Sequence, residues 1–377
     1  MQVLLLLHRW TGGIAGLLLA VIGLSGTLLL WEDSWIGLPG AHDPVRHDAA
    51  EMGRAMTAVM AAGEAAPLAR VTLADETIGL HQAVYRDGSG AYLGQDGSVV
   101  DQWSSPFGRA ELWLFDLHHH LFIREDGAYV TGVLGLLLIG FVVTGSILWW
   151  RTRKTFRLRL WPPRMSRPAI IWHHRDLGII AAPLLLVMAL TGALMVFKPL
   201  SAAVLAPFAQ HDETPLPRYQ ATSTAGPETD WRLLIETAQA AFPGALPRRF
   251  QFPAKSGEPL VLRMKQTAEW TPNGRTYVYF DPATATILGV NDPLQGDVAS
   301  RIEEKYYPVH AGRVGGVVWR IMLTLTGLAL VLLGTLACWT FWFRSPRQVP
   351  RQSSSHVPTA TRNASSAHSS VLLDSGG

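Results

Sequence analysis

The chain is predicted to be a mainly α integral membrane protein, a four-helix transmembrane bundle with two α+β segments outside the membrane. Composition is the first indication. Of the 377 residues, 48% are hydrophobic and only 16% are charged, whereas soluble domains contain about 25% charged residues. The second indication is four apolar runs near or above the ~20 residues that a helix needs to cross a bilayer. They lie at about 10–31, 128–150, 177–197 and 314–343.

The four runs divide the chain into eight segments. We expect transmembrane helices in 1–31, 128–150, 171–198 and 310–344, outer segments in 32–127 and 199–309, a basic loop in 151–170 and a tail in 345–377. The first run is expected to be a retained anchor, because it lacks the basic start and the cleavage site of a signal peptide. The tail is rich in Ser, Pro and Ala and is expected to be disordered.

The distribution of charge predicts which segments face the cytoplasm. Between Arg151 and Arg167 there are seven basic residues and no acidic one, whereas 32–126 carries fifteen acidic residues and six Lys or Arg. Since basic residues concentrate in cytoplasmic loops, the 151–170 loop and both termini are expected inside and both large segments outside. The basic residues therefore serve topology, and no nucleic-acid partner is expected.

Each outer segment contains one predicted helix followed by predicted strands. In the first segment we expect a helix over 48–62 and strands near 69–73, 79–85, 90–94 and 97–103. In the second we expect a helix over 229–242, strands at 247–252, 259–265 and 275–281, and a further short strand after Asp281. Thr229 is the candidate cap of the second helix. Both segments are therefore expected to be small α+β modules.

Cysteine and nucleotide-binding motifs are scarce, which narrows the possible redox chemistry. Cys338 is the only cysteine, so an intrachain disulfide and a Cys-ligated iron–sulfur cluster are excluded. The glycines at Gly312, Gly315 and Gly316 follow no predicted strand, which makes them a poor dinucleotide fingerprint. A redox cofactor would therefore have to be held by histidine, and its electrons would have to come from a separate donor.

Seven of the thirteen histidines lie at the ends of the apolar runs. By the predicted topology, the cytoplasmic face carries His8, His173 and His174, and the outer face carries His118, His119, His120 and His310. Each face thus presents histidines from two helices, as bis-histidine ligation of a haem requires. An alternative stays open, because a histidine near a membrane interface is commonly just an interfacial polar residue.

An internal repeat links two of these positions and selects one histidine of the doublet. His8 and His174 are each followed by an arginine, by a glycine four residues later, and by a second glycine eighteen residues later. The second glycines are Gly26 and Gly192. His173 does not keep this register, so His174 is the preferred candidate.

Residues beside the candidate histidines suit a porphyrin. Gly12, Gly16 and Gly178 lie one or two helical turns beyond His8 or His174, where a glycine lets a macrocycle approach the backbone closely. Arginines placed to neutralise haem propionates by charge-assisted hydrogen bonds are Arg9, Arg175, Arg124 and Arg313. Two alternatives stay open: the glycines support helix packing, and the arginines serve topology.

At these residues the chain resembles the PepSY-associated transmembrane helix family of iron-regulated membrane proteins. The resemblance covers residue 4 to about residue 344 and depends on four motifs. They are Leu7-His8-Arg9-Trp10, Asp116-Leu117-His118-His119-His120-Leu121, His174-Arg175-Asp176-Leu177-Gly178 with Ala189-Leu190-Thr191-Gly192, and His310-Ala311-Gly312-Arg313 with Gly316. The second outer segment looks like a PepSY module, and the first looks like a degenerate copy of it.

The resemblance implies a role in iron metabolism at the bacterial inner membrane, with the outer segments in the periplasm. Family members include ferric-siderophore reductases that carry b-type haem on membrane histidines. Carried over by position, the implied haem ligands are His8, His118, His174 and His310, with His119, His120 and His173 as alternates. The implied cofactor is haem b, in two copies.

The first hypothesis is therefore an oxidoreductase that conducts electrons across the membrane. A cytoplasmic or membrane donor would reduce the inner haem, and the outer haem would reduce a ferric siderophore or another iron chelate in the periplasm. Aromatic residues that are candidates for docking the chelate are Trp231, Trp270, Tyr277 and Tyr279. A rival is a cofactor-free membrane protein whose PepSY modules bind or inhibit a periplasmic peptidase. A histidine-lined metal permease is less favoured, because the spans lack a polar stripe.

Overall fold

A computed structural model describes residues 1–62, 66–210 and 219–343. The tail expected at 345–377 lies outside the described residues. The helices are α1 (Gln2–Leu29), α2 (Glu32–Trp35), α3 (Ala49–Ala61), α4 (Ala110–His120), α5 (Asp126–Trp150), α6 (Arg167–Val196), α7 (Lys198–Leu205), α8 (Trp231–Ala241), α9 (Val298–Glu303), α10 (Tyr306–His310) and α11 (Gly316–Trp342). The strands are β1 (Leu68–Thr72), β2 (His81–Tyr85), β3 (Gly90–Leu93), β4 (Val99–Trp103), β5 (Leu246–Gln251), β6 (Leu260–Lys265), β7 (Thr276–Asp281) and β8 (Thr286–Asn291).

Four of these helices, α1, α5, α6 and α11, are long and apolar enough to cross a membrane. The shortest has 25 residues and the longest has 30. At 1.5 Å per residue they extend about 38–45 Å, which exceeds the ~30 Å hydrocarbon core of a bilayer. The predicted multi-pass helical membrane protein is confirmed at this level.

Small residues bring the spanning helices together in two equivalent pairs, α1 with α11 and α5 with α6. In the first pair, a Cβ on Gly16 would lie 2.9 Å from the carbonyl oxygen of Gly334. In the second, a Cβ on Gly135 would lie 3.3 Å from the carbonyl oxygen of Ala189. Without a hydrophobic driving force inside lipid, such close backbone approach is what holds helices together.

The two outer segments join in one antiparallel sheet of eight strands, in the order β4-β3-β2-β1-β5-β6-β7-β8. Each segment contributes four consecutive strands and one helix that packs on them, α3 or α8, so the sheet consists of two similar halves. The halves meet at the β1–β5 pair, where Val71 lies opposite Phe250. The two inserts expected as separate modules therefore form one continuous sheet.

Helices α3 and α8 cover one face of this sheet and form its core. The largest buried side chains there include Met56, Trp231, Phe250, Leu262 and Val278, each at most 1% exposed. Trp231 therefore fills the core, and the expectation that it docks a ligand is wrong.

The opposite face of the sheet is turned toward the helical bundle. On it, Val84 and Tyr92 pack against Trp35 of α2 and Leu112 of α4. Both helices adjoin the spanning segments in the chain, α2 just after α1 and α4 just before α5. This half of the face is therefore covered by the end of the bundle.

Two local predictions differ from the structure. The cap of α8 is Asp230, whose carboxylate accepts a hydrogen bond from the Leu233 amide at 2.9 Å, so the assignment to Thr229 is wrong. The outer histidines precede the spans, because α4 and α10 are separate short helices. Left-handed backbone at Leu121 (φ 48°) ends α4, and this turn redirects the chain into α5.

Candidate functional site

Two pairs of histidines meet between the helices, at opposite ends of the bundle. The loop-side pair, His8 and His174, lies near the 151–166 loop, with ring centroids 6.2 Å apart and planes at 86°. The sheet-side pair, His118 and His310, lies near the sheet, with ring centroids 6.3 Å apart and planes at 52°. The structure thus brings together the four histidines preferred from the sequence, two by two.

Helix α1 orients His118 of the sheet-side pair. The imidazole Nδ1 lies 3.1 Å from the Ile22 carbonyl oxygen and 3.1 Å from the Ser25 hydroxyl. Because the Ser25 hydroxyl donates to the Val21 carbonyl at 2.9 Å, it accepts from Nδ1. This arrangement places the proton on Nδ1 and leaves the Nε2 lone pair free to bind a metal.

Helix α6 orients His310 in the same way. Its Nδ1 lies 3.1 Å from the Thr191 hydroxyl, and the Met188 carbonyl lies nearby. The Thr191 hydroxyl donates to the Val187 carbonyl at 2.7 Å, so it also accepts from the imidazole. Both histidines of this pair therefore have Nε2 free.

The loop-side pair has comparable supports on α5 and α11. His8 Nδ1 lies 2.8 Å from the Thr144 hydroxyl, which donates to the Gly140 carbonyl at 2.7 Å. His174 lies near the Leu333 carbonyl of α11. Metal-binding histidines almost always donate their other ring nitrogen to such an acceptor, so Nε2 of His8 would be the nitrogen available to a metal.

The second glycine of each repeat makes room for a sheet-side histidine. A Cβ on Gly26 would lie 2.8 Å from Cε1 of His118, and one on Gly192 would lie 3.1 Å from Cε1 of His310. The eighteen-residue spacing therefore has a structural reason. Each of α1 and α6 has a loop-side histidine near its start and, near its end, a glycine that leaves space for a sheet-side imidazole.

We expect Gly26→Val to displace the His118 imidazole and to destabilise the protein by about 1–3 kcal/mol, the usual cost of overpacking. Gly140→Val is the matched control, because no atom lies within 4 Å of a Cβ at that exposed position of α5. The measurement is the apparent melting temperature of each variant in detergent. Equal melting temperatures of the two variants would show that the His118 imidazole does not require a glycine at position 26.

The spacing of each pair suits two axial ligands on one metal ion. Metal–imidazole bonds are about 2.0–2.1 Å long and a ring nitrogen lies roughly 1.1 Å from the ring centre, so opposite imidazoles place their centroids about 6.3 Å apart. In 1–62, 66–210 and 219–343, no group of three or more His, Cys, Asp or Glu is arranged to hold a metal ion. Two ligands suit an ion that brings its own equatorial ring, as haem iron does.

The alternate histidines have other partners. His119 stacks on Phe115 with centroids 4.5 Å apart, and His120 Nδ1 lies 2.9 Å from the Asp116 carboxylate. His173 is buried, with its Nδ1 3.1 Å from a backbone carbonyl of the 151–166 loop. His119 also lies 6.4 Å from the His118 ring, and Nε2 of His173 is buried without a partner among the described residues. Both remain alternates to the ligands preferred from the sequence.

The arginines beside the loop-side pair differ in how free they are. Arg9 has its Nε buried without a hydrogen-bond partner among the described residues, and its guanidinium lies 6.0 Å from the Phe341 ring. Arg175 is already engaged, because its Nε donates to Asp176 at 2.6 Å and its Nη1 donates to Thr155 at 2.7 Å. Arg9 is therefore the better placed of the two to meet an added carboxylate.

On the sheet side, Arg313 has an acidic neighbour in Glu32. Burial raises the pKa of Glu32 to about 7, with Glu111 and Asp33 reinforcing the shift and Arg313 opposing it. The Glu32 carboxylate therefore offsets part of the positive charge of Arg313. Arg124 lies in the exposed turn after α4, with φ at 55°.

Of the glycines predicted to admit a porphyrin, Gly16 contacts α11 instead. A Cβ on Gly12 would approach the Phe141 ring at 3.9 Å, and one on Gly178 would approach Leu333 at 4.0 Å.

The hydroxyl acceptors on α1 and α6 were not recognised from the sequence. Their signal was present, since Ser25-Gly26 and Thr191-Gly192 stand at the same place in the two repeats.

Comparison with known proteins identifies the family to which the chain belongs. The model of the PepSY-associated TM region matches residues 5–344, which include both histidine pairs and the whole sheet. No curated protein matches the chain significantly. Because the matched region covers most of the chain, the protein belongs to the PepSY-associated transmembrane family.

Proposed function

We propose that this protein is a membrane oxidoreductase that holds two b-type haems and reduces a ferric chelate, a ferric siderophore being the substrate class, so that iron is released. The observation that carries the proposal is the pair of bis-histidine arrangements, whose centroids are 6.2 and 6.3 Å apart. Nδ1 of His8, His118 and His310 has a hydroxyl acceptor, which leaves Nε2 of each free for iron.

The chain's own residues would bind and orient the two groups. Each histidine pair would hold one haem between facing helices, and the hydroxyl acceptors would keep the imidazoles in one tautomer. Arg9 has a buried Nε without a partner in the described part of the chain, which suits a propionate at the loop side. When bound, a b-type haem supplies a one-electron couple.

The placement of the pairs suits transfer from one side of the membrane to the other. Gly26 lies eighteen residues after His8 along α1, so the two pairs are separated by about 27 Å of helix. The sheet-side pair is inset from the end of α1, because its histidine contacts Gly26 rather than Leu29. This inset shortens the path that would have to be crossed.

The proposed orientation follows from charge. The basic 151–166 loop adjoins the loop-side pair, and basic loops remain cytoplasmic. The protein would then lie in the bacterial inner membrane with both termini in the cytoplasm and the sheet in the periplasm. A cytoplasmic or membrane donor would supply one electron at the loop side. At the sheet side, one electron converts Fe³⁺ to Fe²⁺, for which hard oxygen ligands have lower affinity.

We expect protein purified from haem-replete cells to show a reducible bis-histidine b-type absorption spectrum with about two haems per chain. The measurement is the oxidised and dithionite-reduced spectrum together with a pyridine haemochrome assay. Ferric-chelate reduction by the reduced protein is then followed with a ferrous-specific dye. Absence of haem under these conditions would contradict the proposal and favour a cofactor-free PepSY protein that binds a peptidase.

A further inference from the structure

Three arginines lie side by side at the centre of the sheet, on the face turned toward the bundle. This arginine cluster consists of Arg70 on β1, Arg249 on β5 and Arg263 on β6. Arg249 lies directly opposite Arg263 in the β5–β6 ladder and opposite Thr72 in the β1–β5 ladder. Like charges directly opposite each other destabilise a sheet. The arrangement therefore needs a compensating partner.

The described residues provide no carboxylate for this cluster. None of their ion pairs includes any of the three arginines. The neutral partners are the Thr72 hydroxyl, 2.9 Å from Arg249 Nε, and the Gly274 carbonyl, which accepts from Arg263. The Nε atoms of Arg70 and Arg263 are buried and have no partner in the described part of the chain. The three side chains are half-buried, and partly desolvated cations without counter-charges are costly, so the cluster is suited to receive an anion.

Other arginines in the outer segments are paired with a carboxylate. Arg248, next in the chain but on the core face, donates to Glu76 at 2.8 Å. Arg109 Nε donates to Glu111 at 2.7 Å. In the arginine cluster, burial, and then the charges of its neighbours, lower the pKa of Arg249 to about 10. Its guanidinium still carries a charge at neutral pH, and that charge has no acidic partner nearby among the described residues.

The cluster lies on the sheet face that is turned toward the bundle. It shares its face of the sheet with Val84 and Tyr92, which pack against helices at the end of the bundle. Tyr307, three residues before His310, is close enough to Arg249 to interact with it electrostatically. The two halves of the chain meet at the β1–β5 strand pair, and they meet again where His118 approaches His310.

Aromatic side chains border the cluster on β7. The Arg263 guanidinium lies 5.3 Å from the centre of the Tyr277 ring, and Tyr277 stacks on Tyr279 with centroids 6.5 Å apart. Both tyrosines are half-buried. The surface therefore combines positive charge with flat apolar rings, a combination that suits an oxyanion attached to a larger organic group.

We propose that Arg70, Arg249 and Arg263 bind the anionic groups of an iron chelate on the sheet face that is turned toward the bundle. This inference deepens the proposed function and depends on it for the identity of the ligand. The arginines supply planar donors that match carboxylate and similar oxyanions, and Tyr277 lies beside them. The recognised chemistry is net negative charge on the chelate, so a neutral chelate binds poorly.

The test measures binding without electron transfer. Full-length, detergent-solubilised protein is titrated calorimetrically with gallium(III) citrate, an anionic and redox-inert probe, and with a neutral gallium hydroxamate, in 50 mM NaCl. We expect the anionic probe to bind and the neutral one to bind at least tenfold more weakly. Arg70→Gln/Arg249→Gln should weaken binding of the anionic probe at least tenfold, since a hydrogen bond to a charged group contributes about 1.5–3 kcal/mol. Arg70→Lys/Arg249→Lys should retain most of it.

The matched control is Arg54→Gln/Arg232→Gln, which removes two exposed charges from the helices covering the other face of the sheet. It should bind like the wild type, and 500 mM NaCl should weaken the wild type itself. Equal binding of both probes, or unchanged binding in Arg70→Gln/Arg249→Gln, would overturn the inference. Loss of haem in that variant would also overturn it, because the arginines would then hold propionates. Arginine-dependent binding by a protein without haem would support the anion site and reject the proposed function.

Discussion

His174→Ala and His310→Ala should each reduce the haem content of the purified protein by about half, and the double variant should contain almost none. Each substitution removes one of the two proposed ligands of one pair and leaves the other pair, 18 helical residues away, untouched. To replace the lost imidazole, His173 would have to leave its loop carbonyl, or His119 its stack on Phe115. The measurement is the haem-to-protein ratio with the reduced spectrum.

Neighbouring histidines provide the controls for this experiment. His173→Ala and His119→Ala remove an imidazole one residue away from a proposed ligand, and both should keep the wild-type haem content. If His173→Ala loses haem and His174→Ala does not, the register that selects His174 is wrong. If no single variant changes the haem content, the two pairs are not haem sites.

The spans and the candidate histidines could be predicted because each depends on a local pattern. An apolar run of sufficient length indicates a spanning helix whatever the rest of the chain does. The His-Arg start and the glycine eighteen residues later could be recognised as a repeat. From the sequence alone, His174 could be preferred over His173, and the structure places His174, not His173, beside His8.

The partners of those histidines could not be predicted, because they are contacts between residues far apart in the chain. The Ile22 carbonyl that orients His118 belongs to another helix, and nothing in the local pattern marks a backbone carbonyl as an acceptor. The joining of the two outer segments through Val71 and Phe250 has the same cause. Either half could equally have ended in an exposed edge strand.

Arg175 shows a different limit of local reasoning. Its position beside His174 suggested a free cation for a propionate, but Asp176 is the next residue and takes up its charge. Adjacent residues on a helix do not normally face each other. Here the folding of the 151–166 loop onto α6 brings Arg159 to the same carboxylate, and this tertiary contact is not visible in a helical pattern.

Asp176→Asn should cost about 3 kcal/mol of stability and release the 151–166 loop. Asp176 is fully buried, and its carboxylate accepts hydrogen bonds from Arg159, from Arg175 and from the Arg157 amide. Asparagine keeps the shape but leaves two guanidinium groups without a counter-charge, and breaking a buried pair costs about 3–5 kcal/mol. The measurements are the apparent melting temperature and the rate of tryptic cleavage within the loop.

Glu236→Gln makes the same chemical change at an exposed ion pair with Arg232, whose side chains are 45% and 63% exposed, and should cost less than about 1 kcal/mol. The variant Arg159→Gln/Asp176→Asn then separates charge from shape. Removing one cation together with the anion should recover part of the stability that Asp176→Asn loses, because fewer unpaired charges remain buried. If Asp176→Asn melts like Glu236→Gln and its loop resists trypsin, the carboxylate does not anchor the loop. The loop-side pair, two residues away at His174, would then be positioned by α5 and α11 alone.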